Sequence, residues 1–197
     1  MTMSWDFRTS AFKGLVLPHL ENPNDWIPHG IGKLSKVISN DMLGNEVRIH
    51  IWDPDIVIIG EEDGGIHNHD HDYESFTIAG QVTDQSWFVY PTEDPDKGWD
   101  LWEHRTSEGT VRRGYAAASG GMKVRYQPGY IRTAPGSSWH LIIPEEVAIT
   151  LVRRTRREGK SFAIAKKGKK VQDGLVNRIC SSEIESTLEA AQKLLTR

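Results

Sequence analysis

The run from Gly65 to Gly80, GIHNHDHDYESFTIAG, gathers side chains that bind metal ions. Residues two apart on a β-strand share a face and lie about 6.6 Å apart along the chain. Two imidazoles so placed can converge on one ion at bonds of about 2.0–2.2 Å. His67 and His69 form such a pair, and a His69/His71 pair has the same parity. A mononuclear site needs at least a third ligand. Glu74 is one candidate, and His140, after the turn Ala134-Pro135-Gly136-Ser137-Ser138-Trp139, is the other. Asp70 and Asp72 fall on the opposite face of a regular strand and are expected in solvent. Arg48 or Arg125, each on strand-like sequence, could bind an anionic substrate, with His50, His71 and Trp139 as further pocket residues.

These donors must be held by β-structure. In EVRIHIW, Val47, Ile49 and Ile51 alternate with Arg48, His50 and Trp52, the pattern of a strand with two unlike faces. From Met122 onward, MKVRYQ, YIRTA, SSWHLII and EVAITLVRR are short strands punctuated by Pro128-Gly129 and Pro135-Gly136. That punctuation points to a sandwich or barrel. Residues 1–44 are expected to be an N-terminal helical segment, because Ile31, Leu34, Val37 and Ile38 recur at helical spacing, with Asn24 or Asp25 as a cap. Residues 45–165 form the expected β-barrel, interrupted by a turn at Asp53-Pro54-Asp55 and a surface excursion over 91–109. A helix over 181–197 closes the domain, with Ser182 and Glu185 as a capping box.

The length of 197 residues fits one domain. The single cysteine, Cys180, excludes an intramolecular disulfide framework, and no apolar run approaches the ~20 residues of a membrane span. With no apolar signal core in MTMSWDFRTSAF, a cytoplasmic location is expected. Residues 1–100 carry 6 Lys+Arg against 18 Asp+Glu, and residues 101–197 carry 18 against 9. The basic block between Arg153 and Lys170 has no nucleic-acid motif beside it, so a solvated strand and loop, or a face that pairs with the acidic half, is the expectation.

His67, His69, Glu74 and Gly80, followed by Gly129, Pro135 and His140, resemble the two motifs of the cupin superfamily. The inner glycine of the second motif stands at 136, one place early. The resemblance covers about residues 45–152 and implies an all-β fold, the cupin double-stranded β-helix or jelly-roll barrel. It also implies a metal held by His67, His69, Glu74 and His140. Three imidazoles and a carboxylate leave octahedral positions open, which suits Fe(II) first, with Mn(II), Ni(II) or Zn(II) as alternatives.

Within the superfamily, Asn40 to Asn45, the strand ending in Trp52 and the run Ile66-His67-Asn68-His69 are similar to the cysteine-dioxygenase type. Those enzymes hold Fe(II) with three histidines and add both oxygens of O₂ to a thiol. Glu74 stands where mammalian-type members carry a crosslinking cysteine, and Ile38 and Ser39 stand where the arginine that grips the substrate would be. A thiol substrate is therefore not implied. The implied function is a mononuclear non-haem iron dioxygenase of a small polar substrate, walled by Trp52, Trp87, Trp139 and Phe76. A non-redox isomerase, epimerase or lyase and a non-catalytic binding barrel are the alternatives, and a homodimer is the expected assembly.

Overall fold

Alternation along the strands decides the architecture. In β3 (Glu46–Val57), Ile49 and Ile51 are buried on one face while Arg48, His50 and Trp52 look the other way, into a cavity. In β5 (His71–Ala79) and β11 (Ala148–Arg156) the same split recurs: Phe76, Ile78, Ile149 and Leu151 face one side, Tyr73, Ser75, Thr77, Thr150 and Val152 the other. These strands join β1 (Ile27–His29), β2 (Ile31–Asn40) and β9 (Ile131–Ala134) in one antiparallel sheet, ordered β1-β2-β3-β11-β5-β9. The structure is a computed structural model describing residues 9–105, 109–156, 159–171 and 179–196.

The second sheet comprises β4 (Asp63–His67), β6 (Val82–Thr92), β7 (Trp99–Arg105), β8 (Gly109–Tyr126), β10 (Trp139–Ile143) and β12 (Ser161–Lys166). Its order, β10-β4-β12-β7-β8-β6, returns on itself because β10 also pairs with β6, closing the sheet. Ile66, Trp99, Leu101, Leu141 and Ile164 cluster together, with Trp87 and Trp139 packed against them. The first sheet buries its apolar face against α1 (Thr9–Val16) and α2 (Ser181–Thr196), where Phe12 meets Phe76 with ring centroids 4.9 Å apart. The all-β, double-sheet architecture is the one expected from the sequence.

Several local expectations are corrected. Residues 31–40 are a strand: Leu34 is fully buried against the helices while Lys33 faces the cavity, and β3 pairs along the whole stretch, so cross-strand pairing overrides the helical spacing. Asp53-Pro54-Asp55 lies within β3. Residues 91–109 contain β7 with Trp99 and Trp102 buried, so that most of the stretch is barrel wall. Asn22, not Asn24 or Asp25, caps the short 3-10 turn Pro23–Asp25 through its side chain. The C-terminal helix starts earlier than Ser182 would make it: Glu183 accepts the Cys180 backbone N–H at 2.7 Å, the role assigned to Glu185.

The acidic and basic halves pair as expected, through Arg153–Glu74, Arg154–Glu46 and Lys169 with Glu62 and Asp63. Among the described residues no helix is long and apolar enough to cross a membrane. Thr187 sits on the buried face of α2 with Leu188, Ala191 and Leu195, and its hydroxyl donates to the buried Asp53 carboxylate at 2.7 Å. A buried carboxylate deprived of a donor is costly, so Thr187→Val is expected to lower stability by about 1.5–3 kcal/mol in urea unfolding.

Candidate metal centre

Three histidines meet where the two sheets face one another. β4 and β10 are antiparallel neighbours with His67 directly opposite His140, which puts both rings on one face, centroids 4.7 Å apart. His69 follows in the bend between β4 and β5. Its ring centroid lies 4.8 Å from that of His67 and 5.1 Å from that of His140. One nitrogen from each of the three lies within 4.8 Å of the others, an arrangement that could hold a metal ion.

A brace between two distant turns sets this bend. The His69 N–H donates to the Gly136 carbonyl at 2.8 Å, and the Gly136 N–H donates to the Asp72 carboxylate at 2.8 Å. Asp72 is thus a structural acceptor, where solvent was expected. The approach is so close that a Cβ at Gly136 would stand 2.5 Å from the His71 carbonyl oxygen and 2.8 Å from that of His69. This close approach is the physical reason for a glycine at position 136.

Hydrogen bonds behind the rings orient them. His67 Nδ1 lies 2.8 Å from the Gly65 carbonyl, which can only accept, so Nδ1 carries the proton and Nε2 keeps its lone pair. His140 Nδ1 lies 3.2 Å from Asp84 Oδ1, an acceptor that favours the same tautomer, and 3.3 Å from Arg132 Nη2, a donor that favours the other. Asp84 is ion-paired with Arg132, whose guanidinium lies over the Tyr73 ring. Burial raises the Asp84 carboxyl to about 6, with Arg132 pulling the other way. Burial also lowers His67 to about 4 and His69 and His140 well below the ordinary range, keeping all three neutral and fit to ligate. His69 Nε2 and His140 Nε2 are 3.0 Å apart. Two nitrogens bound at about 2.1 Å and at right angles to each other would be about 3.0 Å apart, so this pair of donors has the spacing of two ligands on one divalent ion.

Glu74 does not join them. It falls on the opposite face of β5 from Tyr73 and Ser75, pairs with Arg153 at 2.8 Å and lines a separate surface groove with Thr133 and Pro135. Strand parity decides this, since Glu74 is an odd number of residues from His71, which does line the cavity. Arg48 and His50 also line it. Arg125 does not: it is half exposed and paired with Glu145 at 2.7 Å. Trp139, Trp87 and Phe76 turn into the apolar clusters, leaving Trp52 as the cavity's member of the expected aromatic wall. The cavity holds about 450 Å³. Sequence reasoning missed His29, Lys33, Tyr73, Asp84, Arg132 and Arg154 in its lining. The buried neighbour Leu34 was the available signal for Lys33, and shared parity with Thr150 and Val152 was the signal for Arg154.

No family model matches the chain, and no curated protein matches it in sequence. Solved structures similar to it include KdgF from Halomonas sp., 17% identical over 68% of this chain and 88% of that one, TM-score 0.39. Hydroquinone 1,2-dioxygenase PnpCD, in complex with Cd2+ and 4-hydroxybenzonitrile, is 12% identical over 80% and 82%, TM-score 0.40. A cupin domain from Bordetella pertussis is 16% identical over 64% and 94%, TM-score 0.34.

Gly136→Ala is expected to push the His69 bend outward and weaken divalent-metal binding by about 10–100-fold, read by competition with a chromogenic chelator, with the far-UV spectrum unchanged. His29 gives a pH signature. Burial, reinforced by Lys33, lowers it to about 2. Its stabilising effect is complete above the unfolded value near 6.5 and is lost progressively as pH falls toward 2, because only the unfolded chain takes up the proton. His29→Phe should therefore lose less stability than the parent between pH 7 and pH 4, measured from urea midpoints.

Proposed function

We propose that the chain is a metal-dependent enzyme of the cupin type acting on a small polar substrate, and that its chemistry is that of a mononuclear non-haem iron dioxygenase. The observation that carries this reading is the convergence of His67, His69 and His140 as neutral donors on one wall of the cavity. Three imidazoles without a carboxylate leave coordination positions for other ligands. A bound Fe(II) would supply a site for both O₂ and substrate. The chain's own residues do the rest. Asp84 and the Gly65 carbonyl hold two imidazoles in the ligating tautomer, Gly136 fixes the third, and Trp52, Ile142 and Val82 exclude water from the substrate's side.

Tyr73 supports a second, non-redox reading. Its hydroxyl lies 3.5 Å from His140 Nδ1, and burial raises its pKa, so it stays protonated and could donate to a substrate in an isomerase or lyase reaction. Metal analysis of protein purified without a histidine tag, followed by O₂ consumption over candidate substrates, tests the first reading. Stoichiometric iron and substrate-dependent O₂ uptake are expected, with both lost in a folded His140→Ala variant. Zinc alone with no response to iron would overturn it, and turnover that persists without O₂ on Mn(II) or Ni(II) would favour the second.

A further inference from the structure

The wall of the cavity formed by β1, β2, β3 and β11 is cationic. Lys33, Arg48 and Arg154 all line it. The two arginines share one carboxylate: Arg48 Nε and Arg154 Nη2 each lie 2.7 Å from Glu46 Oε2. Lys33 has no carboxylate or hydrogen-bond partner among the described residues; its ammonium lies 5.5 Å from the centroid of the Trp52 ring. Beside it, the His29 Nε2 is buried with no partner, and His29 pairs directly across from Lys33 in the β1–β2 register. A half-buried ammonium with no anionic partner, beside a buried imidazole nitrogen with no hydrogen bond, marks a part of the cavity lining where a ligand can complete the interactions.

Of the carboxylates facing the same cavity, Asp84 is held by Arg132, and Asp70 lies against His71 at 2.6 Å. Neither pairs with Lys33 or Arg48, whose side of the cavity keeps an excess of positive charge. The adjoining walls, Ile31, Trp52, Val82 and Ile142, are apolar and suit a hydrocarbon backbone better than an inorganic ion. We infer that the substrate is a small organic carboxylate, its carboxylate group held by Lys33 and Arg48 with His29 beside them and its other end directed toward the three histidines. The inference rests on the enzyme reading above for the word substrate, but the anion subsite stands on its own residues. Burial lowers the Lys33 ammonium to about 7, with Arg48 and Arg154 adding repulsion, and a bound anion relieves both effects.

Isothermal titration with succinate, its uncharged diamide and inorganic phosphate tests the subsite, using protein as purified and after EDTA treatment. Succinate is expected to bind in both preparations and in His140→Ala, at least tenfold more tightly than the diamide, and at least tenfold more weakly to Lys33→Met. Lys33→Gln serves where Lys33→Met does not fold. Equal affinity for succinate and its diamide overturns the proposal, as does an affinity for succinate unchanged in both Lys33 variants. Binding of phosphate alone, or of none of the three probes to the parent, overturns it as well. Loss of succinate binding only on EDTA treatment would assign the carboxylate to the metal instead and would likewise overturn the Lys33 subsite. Absence of iron or O₂ uptake, by contrast, bears on the enzyme reading and leaves the titration result intact.

Discussion

Burial of apolar surface drives folding, and in this chain the two largest apolar clusters are directed away from the cavity between the sheets, which keeps only a smaller apolar wall. Ile49, Ile51, Ile78 and Ile149 bury against the helices, and Ile66, Leu141 and Ile164 bury in the closed second sheet. What remains for the facing surfaces is the other half of each alternation: His50, Tyr73, Thr77, His67, His140 and Asp84. Polar groups in so enclosed a place are costly unless partnered. The cavity is tolerable because its arginines and Asp84 are paired and its histidines are neutral, and those neutral rings are the ones suited to bind a metal.

This arrangement explains which features were legible in the sequence. Strand alternation and the Pro-Gly turns indicated an all-β barrel, and the spacing of His67 and His69 with the turn before His140 marked the three as candidate ligands, although His69 lies in the bend after β4 and not on a strand face. Glu74 was misjudged because its spacing fits a motif while its parity on β5 puts it outside, with Arg153. Spacing says how far along the chain a donor lies; the pleat says which side it reaches, and only the onset of β5 at His71 settles that.

The opposite error occurred at residues 31–40. Isoleucine, leucine and valine at helical spacing read as an amphipathic helix, whereas the neighbouring β3 supplies a hydrogen-bonding partner along the length of the segment. Tertiary pairing of this kind is invisible to local periodicity. Its consequence reached the site, since Lys33 enters the cavity only if the segment is a strand. The braces were equally hidden: nothing local in Asp72 or Gly136 shows that two turns separated by 64 residues share a hydrogen bond.

Closure of the second sheet bears on how the molecule can meet its own kind. A closed sheet has no free edge, so exposed main-chain pairing groups are confined, among the described residues, to the two ends of the first sheet. One end is β1, three residues with Pro28 at its centre, past which residues 36–40 of β2 have no strand on that side; the other is β9, four residues preceded by the Pro128-Gly129 turn. Proline lacks the donor that strand addition needs, and so short an edge offers few ladder bonds. The template for strand addition is thereby narrowed, among the described residues, to the stretch of β2 that β1 leaves uncovered.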